Sequence, residues 1–234
     1  MLNKLASSAL ACMVLSSTAL AQSDPIISPT PFSSHYIATR LDLRKCAFPA
    51  CGGYYVKAVN RALTRCADGT LRKECHVAVL NTKALPWSDA DRAAFEQSFI
   101  PGQGLVRGQL VAVKGSTALR TDTLVISEGW VGQADSKPLG VFYQLKNSGI
   151  VCITTPCPSI NETTLNYPIS RNIHGLDLAA SGAKPAQVEA GLNALGSTGV
   201  LAAGGHKTIT GPAGQGQQFI ASQFYLPFTP AKTR

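Results

Sequence analysis

From position 35 onward, apolar and polar residues alternate in short runs separated by Gly, Pro and Asp. Residues 36–43 (YIATRLDL) alternate with a period of two and predict a strand. Gly52-Gly53 releases the chain into a second strand at 54–59, and a third is expected at 76–80. Asp68-Gly69 marks a turn between Cys66 and Cys75. The period changes at residues 87–99 (WSDADRAAFEQSF), where Phe95 and Phe99 fall on one helical face. Ser88 is the expected N-cap, Asp89 and Asp91 favour the positive end of the helix dipole, and Pro101-Gly102 ends the helix. Strand patterns return at 104–114, 121–131 and 141–145.

The order then recurs. Cys46 to Asn60 and Cys152 to Asn166 share the frame Cys, four residues including Pro, Cys, eight residues, Asn. Residues 173–178 occupy the place of the strand at His76, so His76 and His174 are expected on equivalent strands. A second helix is expected at 185–195, opened by Pro185, with Val188, Leu192 and Leu195 on one face and Gly196 as its C-terminal cap. The segment 199–204 answers 104–108, Gly211 to Gly216 reads as a hairpin turn, and a last strand covers 218–226. Each half reads strand, Cys loop, strand, strand, helix, strand, strand. The expected fold is α+β and β-rich: one domain over 35–226 made of two repeats, about 36–131 and 141–226. Neither half has enough large apolar residues to cover a sheet alone, which favours one pseudo-twofold sheet system over two small domains. Residues 22–34, with three prolines, read as an extended lead-in, and 227–234 as a tail.

Residues 1–21 carry the signature of a signal peptide: Lys4, an apolar run at 5–18, and Ala19-Leu20-Ala21 as cleavage site. A lipoprotein reading through Cys12 would place Ala9 where such signals carry Leu, and would cut the apolar run short. The expected destination is the periplasm or the extracellular space. Six cysteines then remain, Cys46, Cys51, Cys66, Cys75, Cys152 and Cys157, and an even number in an exported chain reads as three disulfides. Spacing favours the local pairs 46–51, 66–75 and 152–157; a crossed scheme joining the first C-x4-C loop to the second is the competing arrangement. A hydrophobic content of 45% is that of a folded globule, and only 15% charged residues with 21 Gly and 14 Pro argue against a helical bundle.

The formal charge is +8. Residues 40–75 hold Arg40, Arg44, Lys45, Lys57, Arg61, Arg65, Arg72 and Lys73 against Asp42, Asp68 and Glu74, which suggests either a solvated face or a patch for an anionic surface such as lipopolysaccharide, nucleic acid or acidic glycan. No strong catalytic motif is present. Ser181-Gly-Ala-Lys184 has the S-x-x-K form of penicillin-recognising enzymes without its companions, since Lys207-Thr208-Ile209 lacks the glycine of K-T-G. The glycine-rich stretch at 211–216 lacks the Lys-Ser/Thr of a phosphate loop. His35, His76, His174 and His206 are not spaced as metal ligands, and C-x4-C pairs in an exported chain favour disulfides over zinc. No cofactor or metal is expected. Asn161-Glu-Thr163 has the form of a glycosylation sequon.

The segments RKCAFPACGGYYVKAVN (44–60), RCADG (65–69), ECHVA (74–78), LVRG (105–108) and GIVCITTPCPS (149–159) together resemble a family of bacterial exported proteins described as a domain of unknown function. The resemblance spans roughly residues 36–226. It implies export and disulfides, and carries no activity or catalytic residue. The expected function is therefore a non-enzymatic binding or interaction module of the cell envelope or extracellular space, with protease inhibition as its sharpest form, since disulfide-held loops suit that task. The alternative is a hydrolase whose site is assembled from His76, His174, Glu74 and Glu128.

Overall fold

The computed structural model describes residues 33–114 and 120–231; the expected signal peptide and nearly all of the expected lead-in lie outside them. The chain runs β1 (Ser34–Leu41), β2 (Tyr54–Ala58), β3 (Thr64–Arg65), β4 (Leu71–Arg72), β5 (Cys75–Val77), β6 (Val79–Asn81), α1 (Asp89–Ser98), β7 (Gly104–Lys114) and β8 (Arg120–Gly132). It continues with β9 (Val141–Asn147), β10 (Ile160–Thr164), β11 (Ser170–Ile173), β12 (Gly175–Asp177), a 3-10 turn at Ala179–Ser181, α2 (Pro185–Ala194), β13 (Val200–Gly211) and β14 (Gly214–Pro227). The protein is mostly β-sheet with two helices.

One large sheet runs in the order β11-β10-β9-β13-β14-β8-β7-β1-β2-β5, with every neighbouring pair antiparallel. β6 joins β8 and β12 joins β14, both in parallel, while β3 and β4 form a separate small hairpin around Asp68-Gly69. The long β13–β14 hairpin turns at the expected Gly-Pro-Ala-Gly, where Gly211 pairs with Gly214.

Several details differ from the sequence expectation. The strand expected at 76–80 is broken at Ala78, whose amide donates to the Asp122 carbonyl, so the chain leaves the edge of β2 and crosses to β8. The strand expected at 173–178 is broken in the same way at His174, which instead pairs with Gln217 of β14. His76 therefore lies within a strand and His174 in a break between two. In α2, Leu192 is 47% exposed; Val188 and Leu195 pack inward, and the buried position is Gly191. A Cβ there would stand 2.6 Å from Leu178 Cδ1 and 2.9 Å from Phe224 Cε2, so the glycine lets the helix lie close on the sheet. The chain leaves this helix through Leu195, and the left-handed residue is Gly199 (φ 81°), not Gly196.

The first helix forms as its residues dictate. Ser88 Oγ accepts the Asp91 amide at 3.2 Å and Asp91 Oδ2 accepts the Ser88 amide at 3.1 Å, a reciprocal cap. Phe95 and Phe99 are fully buried against the first half of the sheet with Val56, Val77, Leu124 and Ile126. Residues expected as a tail return to this core: the Phe228 ring lies 4.9 Å from Trp87 and 5.3 Å from Phe95, and the Ala231 amide donates to Asp91. A second cluster, with Leu145, Ile173, Leu178, Phe219 and Phe224, fills the other half. The third lies between them and draws Ile37, Val59, Leu105 and Trp130 from the first half, and Phe142, Leu165, Leu201 and Tyr225 from the second.

At this seam each half grips the other through one asparagine. Asn60 follows β2 at φ 59° and Asn166 follows β10 at φ 63°, the left-handed conformation that Asn tolerates better than other side-chain-bearing residues. Asn60 Nδ2 donates to the carbonyls of Phe142 (2.7 Å) and Leu165 (3.0 Å), and its Oδ1 accepts the Phe142 amide (2.8 Å). Asn166 Nδ2 donates to the carbonyls of His35 (2.9 Å) and Val59 (2.9 Å), and its Oδ1 accepts the His35 amide (2.8 Å). The connector between the halves is held by buried Gln223, which accepts the Ala134 amide and donates to the carbonyls of Ala134 and Ser136.

Asn60→Ala and Asn166→Ala are each expected to lower unfolding stability by about 3 kcal/mol, because each strands partly buried main-chain groups and puts Ala in a left-handed conformation. Asn→Gly at either site keeps the backbone freedom and is expected to recover about 1 kcal/mol of that loss. Urea unfolding of the four variants checks both figures.

Candidate functional site

The local disulfide scheme is present: Cys46 is bonded to Cys51, Cys66 to Cys75 and Cys152 to Cys157, with Cα separations of 5.4, 5.4 and 5.7 Å. Cys66 and Cys75 are buried in the first core, whereas the two short rings stand at the surface between strands. Each short ring contains a cis peptide bond, Phe48–Pro49 and Thr155–Pro156.

The first ring is anchored by charge. Asp42, with 1% of its side chain exposed, takes a forked pair of hydrogen bonds from Arg44 (Nε 2.8 Å, Nη2 2.7 Å), and Arg44 Nη2 also donates to the Ala50 carbonyl inside the ring. That guanidinium holds the Asp42 carboxyl well below the usual carboxylate range. The second ring is anchored by the main chain. Ser148 donates from its amide to Ser159 (2.8 Å) and from its hydroxyl to Pro158 (3.0 Å), while the Ala213 amide donates to Thr155 (2.8 Å). The hairpin end approaches so closely that a Cβ at Gly211 would stand 2.6 Å from the Thr155 carbonyl oxygen.

Both anchored loops display apolar side chains. Phe48 and Leu43 are exposed at the first, and at the second Val151 is 94% and Ile153 105% exposed. Burying side chains of this kind is worth roughly 1.5–3 kcal/mol each, so leaving them outside forgoes real stability. The run Ile150-Val151-Cys152-Ile153 carries the signal in sequence: apolar residues crowd a short ring that has no room to bury them.

The polar groups form two separate clusters. In the first half His76 Nε2 donates to the Gly52 carbonyl (2.8 Å) and lies 3.2 Å from Asp42, while Glu74, on the same strand region, binds Arg40 and Thr39. In the second half Glu162, 1% exposed, accepts from His206 Nε2 (2.6 Å) and Arg171 Nε (2.8 Å), and the His206 ring rests against Tyr143 and Phe219. Glu162 was missed by sequence reading, although its strand alternation places it on the same face as Ile160. The residues of the expected hydrolase do not converge: Glu74 and His76 belong to the first cluster, Glu128 pairs with Arg107 on the β7–β8 hairpin, and His174 accepts the Gln217 amide. Neither His76 nor His206 bonds a Ser, Thr or Cys side chain among the described residues. The Asn161 side chain of the sequon donates to Asn172 across the strands.

The expected basic patch is partly neutralised. Arg40, Arg44 and Arg72 pair with Glu74, Asp42 and Asp68, which accounts for the three acids of that segment. Lys57 and Arg61 remain at the seam.

The family described as a domain of unknown function (DUF6748) matches residues 35–231. No curated protein and no solved structure matches the chain. Three disulfides fit an oxidising compartment, and no helix among the described residues is long and apolar enough to cross a membrane.

Two outcomes follow from this geometry. Replacing Cys152 and Cys157 by Ser is expected to cost about 2 kcal/mol, the loop-entropy value for so short a ring, whereas removing the buried Cys66–Cys75 bridge costs more because packing is lost with it; urea unfolding distinguishes them. His35 lies over Trp130 (5.6 Å), and burial, aided by the Arg107 charge, lowers its pKa from 6.5 to about 4. Its neutral form is favoured in the folded state. Its contribution is therefore complete above pH 6.5, is lost as pH falls towards 4, and amounts to about 3 kcal/mol. His35→Phe, which reproduces the aromatic residue held equivalently at Phe142, is expected to flatten the stability profile between pH 6.5 and 4.5.

Proposed function

Since the chain belongs to the family described as a domain of unknown function, we propose a role from its own geometry: an exported, non-enzymatic binding module that presents the Cys152–Cys157 loop to the active-site cleft of an extracytoplasmic endopeptidase. The observation that carries this reading is the pair Val151 and Ile153, fully displayed beside and within a ring that is closed by a disulfide and tied at its base to β9, β10 and the β13–β14 hairpin. An inhibitor needs such a segment, extended enough to enter a cleft and restrained enough to lose little entropy on binding. Residues 151–153 belong to no strand, while the main-chain anchors of the segment fall at Thr155, Pro158 and Ser159. The Cys46–Cys51 loop with Phe48 is a second presenting element of the same design.

Export to the periplasm or beyond is part of this reading and rests on the character of residues 1–21 and on the disulfides. So is descent by duplication. It is supported by the strand order, in which β5-β2-β1-β7-β8 meets β14-β13-β9-β10-β11 back to back, by the parallel additions β6 to β8 and β12 to β14, and by the reciprocal asparagines.

A panel of endopeptidases that accept aliphatic residues at the cleavage position, assayed with the purified chain, tests the proposal. The expected result is tight inhibition of at least one, weakened about tenfold or more by Val151→Ser and by Ile153→Ser without a change in melting temperature. Absence of inhibition across the panel, or inhibition indifferent to both substitutions, contradicts it.

A further inference from the structure

A different surface carries a second binding property. Along the seam, on the face where Lys57 stands opposite Ile37, an open cleft of about 460 Å³ is lined by Lys57, Asn60, Arg61, Phe142 and Tyr167 among others. A second cleft of about 330 Å³ shares Lys57 and Phe142 with it and adds Lys137. The two adjoin into one trough. Three cations line it and no aspartate or glutamate does. The ion pairs of the described residues are formed by Arg and His, as at Arg40, Arg44, Arg107 and Arg171, and Lys57 and Lys137, outside them, keep their ammonium groups available to a ligand. Arg61 is already oriented: it donates to the Asn166 carbonyl, and its guanidinium carbon lies 3.9 Å from the centre of the Tyr167 ring.

We infer that this trough binds an acidic oligosaccharide, a short chain of sugars bearing carboxylates. The apolar surface supplied by Val141, Tyr167 and Ile169, all exposed, suits the C–H faces of sugar rings, and the cations along it suit charges repeated along a chain. Lysines offer compact point charges that can each meet one carboxylate along a chain. The aromatic lining consists of Phe142, which is buried, and Tyr167, whose ring already carries Arg61, so the row of open aromatic faces that stacks nucleobases is missing, which favours a sugar chain over a nucleic acid. The placement also matches the general preference of ligand sites for junctions between structural halves. The trough is built without Val151 or Ile153, so it operates whether or not the loop engages a protease.

Calorimetric titration of the full exported chain with trigalacturonate tests the inference, with maltotriose as the neutral counterpart and a short single-stranded oligonucleotide as the phosphate counterpart. Trigalacturonate is expected to bind, more weakly as salt is raised, and maltotriose not to bind. Lys57→Gln and Lys137→Gln, both exposed positions that leave the core untouched, are each expected to weaken binding about fivefold and together more than tenfold. Lys207→Gln, outside the trough, is expected to leave affinity unchanged. The inference is overturned by failure of trigalacturonate to bind, by equal binding of maltotriose, by tighter binding of the oligonucleotide through the same lysines, or by affinity indifferent to Lys57 and Lys137.

Discussion

The structure depends on two asparagine side chains reaching across a seam. Where an antiparallel ladder ends, a main-chain amide can be left without a ladder partner. Here those amides belong to His35 and Phe142, near the ends of β1 and β9; the carbonyls of the same two residues already accept the Val59 and Leu165 amides. Each amide is met by a carboxamide oxygen from the opposite half, and the nitrogen of the same carboxamide adds a second bond to that residue's carbonyl. The left-handed turn at Asn60 and Asn166 aims the side chain across the seam, where it meets the strand-end amide of the other half. Hydrophobic burial brings the halves together through Ile37, Leu105, Trp130, Phe142, Leu201 and Tyr225, but burial is non-directional. The asparagines set the register.

A seam fixed in that way explains what hangs from it. The two short disulfide rings interrupt β1–β2 and β9–β10 at the ends opposite the asparagines, so each ring grows from a strand pair whose far end is held at the seam. The remaining anchors differ in kind, a forked ion pair at Arg44–Asp42 and main-chain bonds at Ser148 and Ala213, and reach the same result. The apolar residues outside the cores then stand on rigid ground. The same junction forms the basic trough, because Lys57 and Arg61 flank the asparagine turn that the fold requires.

Much of this was legible in the residues. The C-x4-C-x8-N frame marked both rings and both asparagines, since a residue type that tolerates left-handed backbone recurred at one spacing. The capped helix after Trp87, the hairpin at 211–216 and the disulfide pairs were readable from local rules alone. Less visible was anything decided by distant contacts. The breaks at Ala78 and His174 arise because Asp122 and Gln217 on other strands capture those amides. Gly191 is the contact surface of its helix because Leu178 and Phe224, distant in sequence, pack against it. Glu162 gains its role from Arg171 and His206, which only the fold places around it. The histidines and acids that might have composed a hydrolase site are spread over separate elements, because sequence proximity of Glu74 and His76 says nothing about Glu128 or His174.

Native-state hydrogen exchange tests most directly whether the asparagine seam governs the fold. The amides of His35 and Phe142, bonded to Asn166 Oδ1 and Asn60 Oδ1, are then expected to exchange only through global unfolding, with the same denaturant dependence as core amides such as Leu124 and Phe224. Exchange of His35 and Phe142 through a smaller opening that spares those core amides would contradict the account, since the halves would then separate while each remained folded.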